Sequence, residues 1–72
     1  MSQNAEVLYH LKKGWTITAA EALREYDCFR LAARIGDLKE AGWPIWSVRI
    51  KTPSGKHVAQ YSLNPNKEAW PE

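Results

Sequence analysis

Cysteine is nearly absent. A single residue, Cys28, leaves no internal disulfide, so apolar packing must hold the fold, as fits a reducing compartment. No apolar run exceeds a few residues, so nothing reaches the length of a membrane span. The opening Met1-Ser2-Gln3-Asn4 lacks the basic and apolar stretches of a secretory signal. The expectation is a soluble, cytoplasmic chain. There is no glycine-rich phosphate loop, no internal repeat and no low-complexity segment. His10, Cys28 and His57 lack metal-ligand spacing, so neither metal nor other cofactor is expected. Cys28 and His57 have no evident third group or oxyanion site to make them a nucleophile and base, and seventy-two residues leave little room for a pocket plus catalytic machinery. An enzyme is the class least expected. Charge of one sign is also scarce: the net charge of +2 is too mild for a polybasic tail.

What is present is one small globular domain, 44% hydrophobic and 25% charged. Residues 4–13 read as a first helix, with Val7, Leu8 and Leu11 at helical spacing, Asn4 as its cap and Gly14 as its stop. Trp15-Thr16-Ile17 suffices only for a β-bridge. Thr18-Ala19-Ala20-Glu21 is a capping box that opens a second helix through Tyr26, with Ala22, Leu23 and Tyr26 as its inner stripe. Asp27-Cys28 breaks the chain, since Asp tolerates the left-handed conformation. A third helix is expected from Phe29 to Ala41, with Leu31, Ile35 and Leu38 inward, until Gly42 and Pro44 end it. Residues 45–51 and 57–63 alternate in polarity around a Pro- and Gly-containing link, which marks a β-hairpin. Residues 64–72 hold two prolines and no periodicity, and read as a mobile tail. The expected core is Leu8, Leu11, Ile17, Leu23, Leu31, Ile35, Leu38, Ile45, Tyr61 and Leu63. This order, over residues 4–63, is an α+β winged helix-turn-helix: a three-helix bundle with a C-terminal hairpin as wing.

The charge is unevenly placed. Residues 1–28 carry three cations and four acids, and the tail carries Lys67 against Glu68 and Glu72. Residues 29–63 carry six cations (Arg30, Arg34, Lys39, Arg49, Lys51, Lys56) against only Asp37 and Glu40. The basic excess thus falls on the third helix and the hairpin, the elements such a fold presents to nucleic acid. On the helical wheel Arg30, Ala33, Gly36 and Asp37 face outward and Arg34 lies on the boundary. Small residues at Ala33 and Gly36 would let the backbone approach a groove wall. Arg30 or Arg34 could read guanine through a bidentate fork, and Asp37 could accept from cytosine or hold an arginine. Arg49, Lys51 and Lys56 would meet phosphates, with His57 as a further donor, and Thr18 at the second helix is a further phosphate candidate.

The stretch Ile17-Thr18-Ala19-Ala20-Glu21-Ala22-Leu23, then Asp27-Cys28-Phe29-Arg30-Leu31-Ala32-Ala33-Arg34-Ile35, then Leu38, Gly42-Trp43-Pro44-Ile45 and Tyr61-Ser62-Leu63, resembles a family of small helix-turn-helix domains of bacteriophage and prophage proteins. The resemblance spans residues 5–63. It implies a winged-helix fold and binding to double-stranded DNA. Such turns usually carry Gly where this chain has Asp27.

Plainer readings stand beside these. Arg34 could pack its stem and pair with Glu21 or Asp37. The hairpin cations could simply protect an edge strand. Cys28 is a small buried filler. Trp43 packs at the helix-to-hairpin corner and Trp15 covers the core edge, while the strand alternation turns Ile45 or Trp46 outward. An exposed Trp46, or Trp70 in the tail, is a candidate anchor for a protein partner. The leading function is a DNA-binding transcriptional regulator of phage type. An excisionase-like DNA-bending factor and a protein-interaction module are the alternatives. One monomer would read only a half-site, so a homodimer is a further expected partner state.

Overall fold

The computed structural model describes residues 2–71. The chain runs α1 (Gln3–Lys12), β1 (Ile17–Thr18), α2 (Ala19–Tyr26), α3 (Leu31–Glu40), β2 (Ile45–Lys51), β3 (His57–Leu63) and a short 3-10 turn (Lys67–Ala69). Three helices pack on one antiparallel sheet of order β1-β3-β2, an α+β arrangement.

The local causes are visible at each junction. The Ser2 hydroxyl accepts from the Ala5 amide, so α1 is capped two residues earlier than Asn4 would cap it. Asn4 instead donates from Nδ2 to Asp37 on α3 at 3.3 Å. The α2 capping box forms as expected: Thr18 Oγ1 accepts from the Glu21 amide, and the Glu21 carboxylate accepts from the Thr18 amide. Asp27 adopts the left-handed conformation at φ 54°, ψ 29°. The Asp27 amide then donates to Leu23 O at 3.0 Å and the Cys28 amide reaches back to Ala22 O at 3.1 Å, satisfying the last carbonyls of the helix. The Asp27 carbonyl also accepts from Gln3 Nε2 of α1, which fixes the turn against the rest of the bundle.

The turn takes more residues than the wheel suggests. Arg30 is the cap of α3 at φ −128°, so Phe29 lies outside the helix and is 80% exposed. The hairpin strands lie where alternation puts them. Their register pairs Ile45 with Leu63 and Lys51 with His57, and Gly55 supplies the positive φ in the intervening loop.

The core comprises Val7, Leu11, Ile17, Ala22, Cys28, Leu31, Ile35, Leu38, Trp43, Ile45 and Leu63. Leu23, expected inside, is 41% exposed: α2 turns Ala22 fully inward, and its neighbour one residue on is carried about 100° round the helix. Leu8 and Tyr61 are only half-buried at the margin. Trp15 is also mostly exposed, lying edge-on against His10 with ring centroids 5.2 Å apart.

The C-terminal segment, expected as a mobile tail, lies back on the domain. Asn66 caps the 3-10 turn through the Glu68 amide. Trp70 Nε1 donates to Asn64 O at 2.7 Å, and its ring sits 5.7 Å from that of buried Trp43. Lys12 Nζ lies 4.9 Å from the Trp43 ring centroid. A periodicity argument cannot see this contact, because its partner is some thirty residues away in the chain.

Candidate nucleic-acid interface

Two elements carry the residues singled out by sequence, and the structure treats them differently. On α3, Leu31, Ile35 and Leu38 are buried, which anchors the inner face. Ala32, Gly36, Asp37, Lys39 and Glu40 are exposed, and Ala33 and Arg34 are half-buried. Arg34 Nη2 pairs with Asp37 Oδ2 at 3.4 Å, and the same carboxylate oxygen accepts from Asn4. The chain Asn4–Asp37–Arg34 therefore ties α1 to α3, the plainer of the two readings of Arg34. Arg34 Nε and Asn4 Oδ1 are buried without a hydrogen-bond partner. Arg30, just ahead of the helix, is exposed and makes no ion pair or side-chain hydrogen bond among the described residues.

Gly36 has a property the fold does not explain. A Cβ built there meets nothing within 4 Å, so packing does not demand glycine, although glycine weakens a helix interior by about 1 kcal/mol relative to alanine.

On the hairpin, side chains alternate between faces. Ile45 and Leu63 face the core, as does Ile17 of β1, which pairs with Tyr61 of β3. By that alternation Arg49, Lys51 and His57 stand on the helix-bearing face, beyond the end of the core. Lys56 belongs to the connecting loop. Arg49, Lys51, Lys56 and His57 are all exposed and, among the described residues, unpaired. The other face shows Trp46 and Val48, each 54% exposed, then Ile50. The radius of gyration, 12.0 Å, exceeds the roughly 11 Å of a compact chain this long, as befits a hairpin whose outer half lacks a packed partner.

The basic half of the chain can now be divided. Residues of α3 hold two cations, Arg34 and Lys39, against Asp37 and Glu40, and are neutral in sum. Arg30 adds one charge at its start. The hairpin and its loop hold three cations and no acid. Most of the excess therefore belongs to the hairpin.

Thr18 is placed at the N-terminus of α2, but its hydroxyl is already engaged by Glu21, 3.2 Å from Oε1. An apolar cleft of about 230 Å³ opens beside it, between Thr18–Ala20 on one side and Ile50, Pro53 and Val58 of the hairpin on the other. Its walls offer few polar groups for chemistry. Among the described residues no three His, Cys, Asp or Glu side chains come together as a metal site, and no helix is long and apolar enough to cross a membrane.

Sequence reasoning passed over two residues. His10 is buried: Nε2 lies 2.9 Å from Thr16 O, and Nδ1 lies 2.7 Å from Tyr26 Oη. A carbonyl only accepts, so Nε2 carries the proton and, in the neutral ring, Tyr26 donates to Nδ1. The signal was available, since His10 follows Val7 by three and shares the apolar stripe. Burial, with Glu25 and Glu6 nearby, raises the Tyr26 hydroxyl above its ordinary value of 10.0. Phe29 is the second, and nothing in the wheel distinguishes an exposed turn residue from the first residue of a helix.

A family model described as a winged helix-turn-helix domain matches residues 2–66. No curated protein and no solved structure matches the chain.

Proposed function

Because the chain belongs to the winged helix-turn-helix domain family, whose fold suggests DNA binding, we propose that it is a phage-type transcriptional regulator that lays α3 in the major groove and uses the β2–β3 hairpin as its wing. The observation that carries this reading is the group of exposed cations on the hairpin, with no acid among them, together with Arg30 at the start of α3. Lys12 and Lys13 lie over aromatic rings, and Arg34 is held by Asp37. Arg30, Lys39, Arg49, Lys51 and Lys56 are exposed and unpaired among the described residues and fall on the two elements named, whereas Arg24 on α2 and Lys67 in the C-terminal turn are exposed cations elsewhere.

Each residue then has a part. Arg30, free at the start of α3, reads guanine through its bidentate fork. Ala33 and Gly36 keep the outward face low so that the backbone approaches the bases. Asp37 orients Arg34, which limits Arg34 to a supporting contact. Arg49, Lys51 and Lys56 neutralise phosphates, and His57 adds a donor on the same hairpin face. Thr18 has both its amide and its hydroxyl engaged by Glu21, so a phosphate contact there falls to the amides of the first turn of α2.

The experiment is a titration of the intact chain against random and phage-derived duplexes at two salt concentrations. Binding should fall steeply with salt. Arg30→Ala should weaken preferred sequences more than random ones. Absence of binding at low salt overturns the reading.

A further inference from the structure

β2 is an edge strand. The sheet order is β1-β3-β2, and among the described residues nothing pairs with its outer side. The bonds flanking the hairpin ladder fix its phase. The Thr52 amide donates to Lys56 O at 2.7 Å, and the Asn64 amide donates to Pro44 O at 2.9 Å. Hydrogen-bonded and non-bonded pairs alternate along an antiparallel ladder. Trp46, Val48 and Ile50 therefore turn their backbone groups toward β3, while Ser47, Arg49 and Lys51 turn theirs toward the open edge.

We propose that this edge pairs antiparallel with β2 of a second copy of the chain, about a dyad at Val48, to give a six-stranded sheet. Three features select that partner and that register. First, the dyad at Val48 bisects the seven-residue strand, so its whole length is used. Second, it sets Ser47 opposite the partner's Arg49 and Ile45 opposite the partner's Lys51. These are the residues whose backbone groups face outward, so the ladder bonds can form. Third, no cation stands directly opposite a cation. A dyad at Arg49 would oppose two arginines. A dyad at Ser47 would set Ile50 and Lys51 opposite the partner's Pro44 and Trp43, beyond the end of the strand, and would use only part of its length. Dyads between residues would break the bonding phase.

The side chains agree with the backbone. In this register Trp46 stands opposite the partner's Ile50, and the two Val48 residues face each other, all as close non-hydrogen-bonded pairs. Aromatic and β-branched neighbours across strands stabilise a sheet. The exposed stripe of Trp46 and Val48 thus becomes one continuous apolar band across both copies. The dyad is normal to the sheet, so both helical layers lie on one side of it, and each hairpin loop stays at an outer end.

Sedimentation equilibrium of the intact chain without DNA, from micromolar to submillimolar concentration, tests this. The wild type should reach twice the monomer mass. Ser47→Glu should tighten the dimer, because Glu would face Arg49 of the other copy, and Ser47→Lys should loosen it. With two symmetry-related pairs each shift is roughly two- to thirtyfold in the dissociation constant. Ser47→Pro, which removes an outward amide at an edge position where proline is tolerated, should leave a folded monomer by circular dichroism. A wild type that stays monomeric throughout overturns the proposal and leaves the stripe to another protein. Equal effects of Ser47→Glu and Ser47→Lys overturn the register, and with it the proposal. The pairing needs no duplex. A dimer that binds no DNA would sink the DNA reading alone, and a monomer that binds DNA would sink the pairing alone.

Discussion

α3 and the β2–β3 hairpin both carry cations, but they hold them in opposite ways. α3 buries three apolar residues and commits Arg34 to Asp37 and, through it, to Asn4 of α1. Its charge is balanced, apart from Arg30 at its start. The hairpin is anchored toward its base, by Ile45 and Leu63 in the core and by the pairing of Gln60 and Tyr61 with β1, and carries Arg49, Lys51 and Lys56 unbalanced into solvent. An element that is rigid and nearly neutral suits recognition by shape and by a single guanine fork. An element that is basic and projecting suits phosphates, whose attraction depends on charge more than on position. On the proposed reading, specificity falls to the first element and affinity to the second.

The largest expected effect breaks the comparison at its structural root. Leu11→Ala removes a buried side chain from the bundle that holds α3 and should cost about 3 kcal/mol, a large share of the stability of so small a domain. Val48→Ala on the outer hairpin face should change the monomer's stability by about 0.5 kcal/mol or less. Urea unfolding of both variants, in dilute solution, measures the contrast.

Gly36→Ala sharpens the recognition side. The fold leaves room for a methyl group, so helix propensity should raise stability by about 1 kcal/mol. If α3 enters a groove along this face, the same substitution should weaken duplex binding while the protein becomes more stable. A gain in both would place the groove elsewhere.

The smallest effect concerns the bundle beneath both elements. Tyr26 binds its proton more tightly in the folded chain than in the unfolded one. Its contribution is therefore fully present below the unfolded value of 10.0 and is lost as pH rises through the higher folded value. Stability should be insensitive to this group at neutral pH and should fall above pH 10.0, a fall that Tyr26→Phe should reduce.

The sequence was most legible where one local rule suffices. Thr18 and Glu21 form their capping box, and 45–51 and 57–63 pair as alternation requires, because both patterns are set within a few residues. It was less legible where a distant partner decides. Ser2 displaces Asn4 as the cap of α1, and Asn4 turns instead to Asp37, thirty-three residues on. Trp70 docks on Trp43 despite a segment that reads as a tail. Leu23 turns outward because Ala22 takes the inward position. For the candidate interface, the segment charges located the basic excess in residues 29–63. They could not divide that stretch, since the neutrality of α3 becomes apparent only when Arg30 is seen to lie outside the helix proper and Arg34 is seen to be paired.

The division of labour between the two elements is tested most directly by the salt dependence of duplex affinity. Each phosphate contact contributes about 0.9 to the slope of log affinity against log salt concentration. The account predicts that Lys51→Ala with Lys56→Ala lowers the slope by about 2 and leaves sequence preference intact, whereas Arg30→Ala reduces the preference and changes the slope by about 1 at most. A slope unmoved by loss of the two hairpin lysines, or a preference unmoved by loss of Arg30, would contradict it.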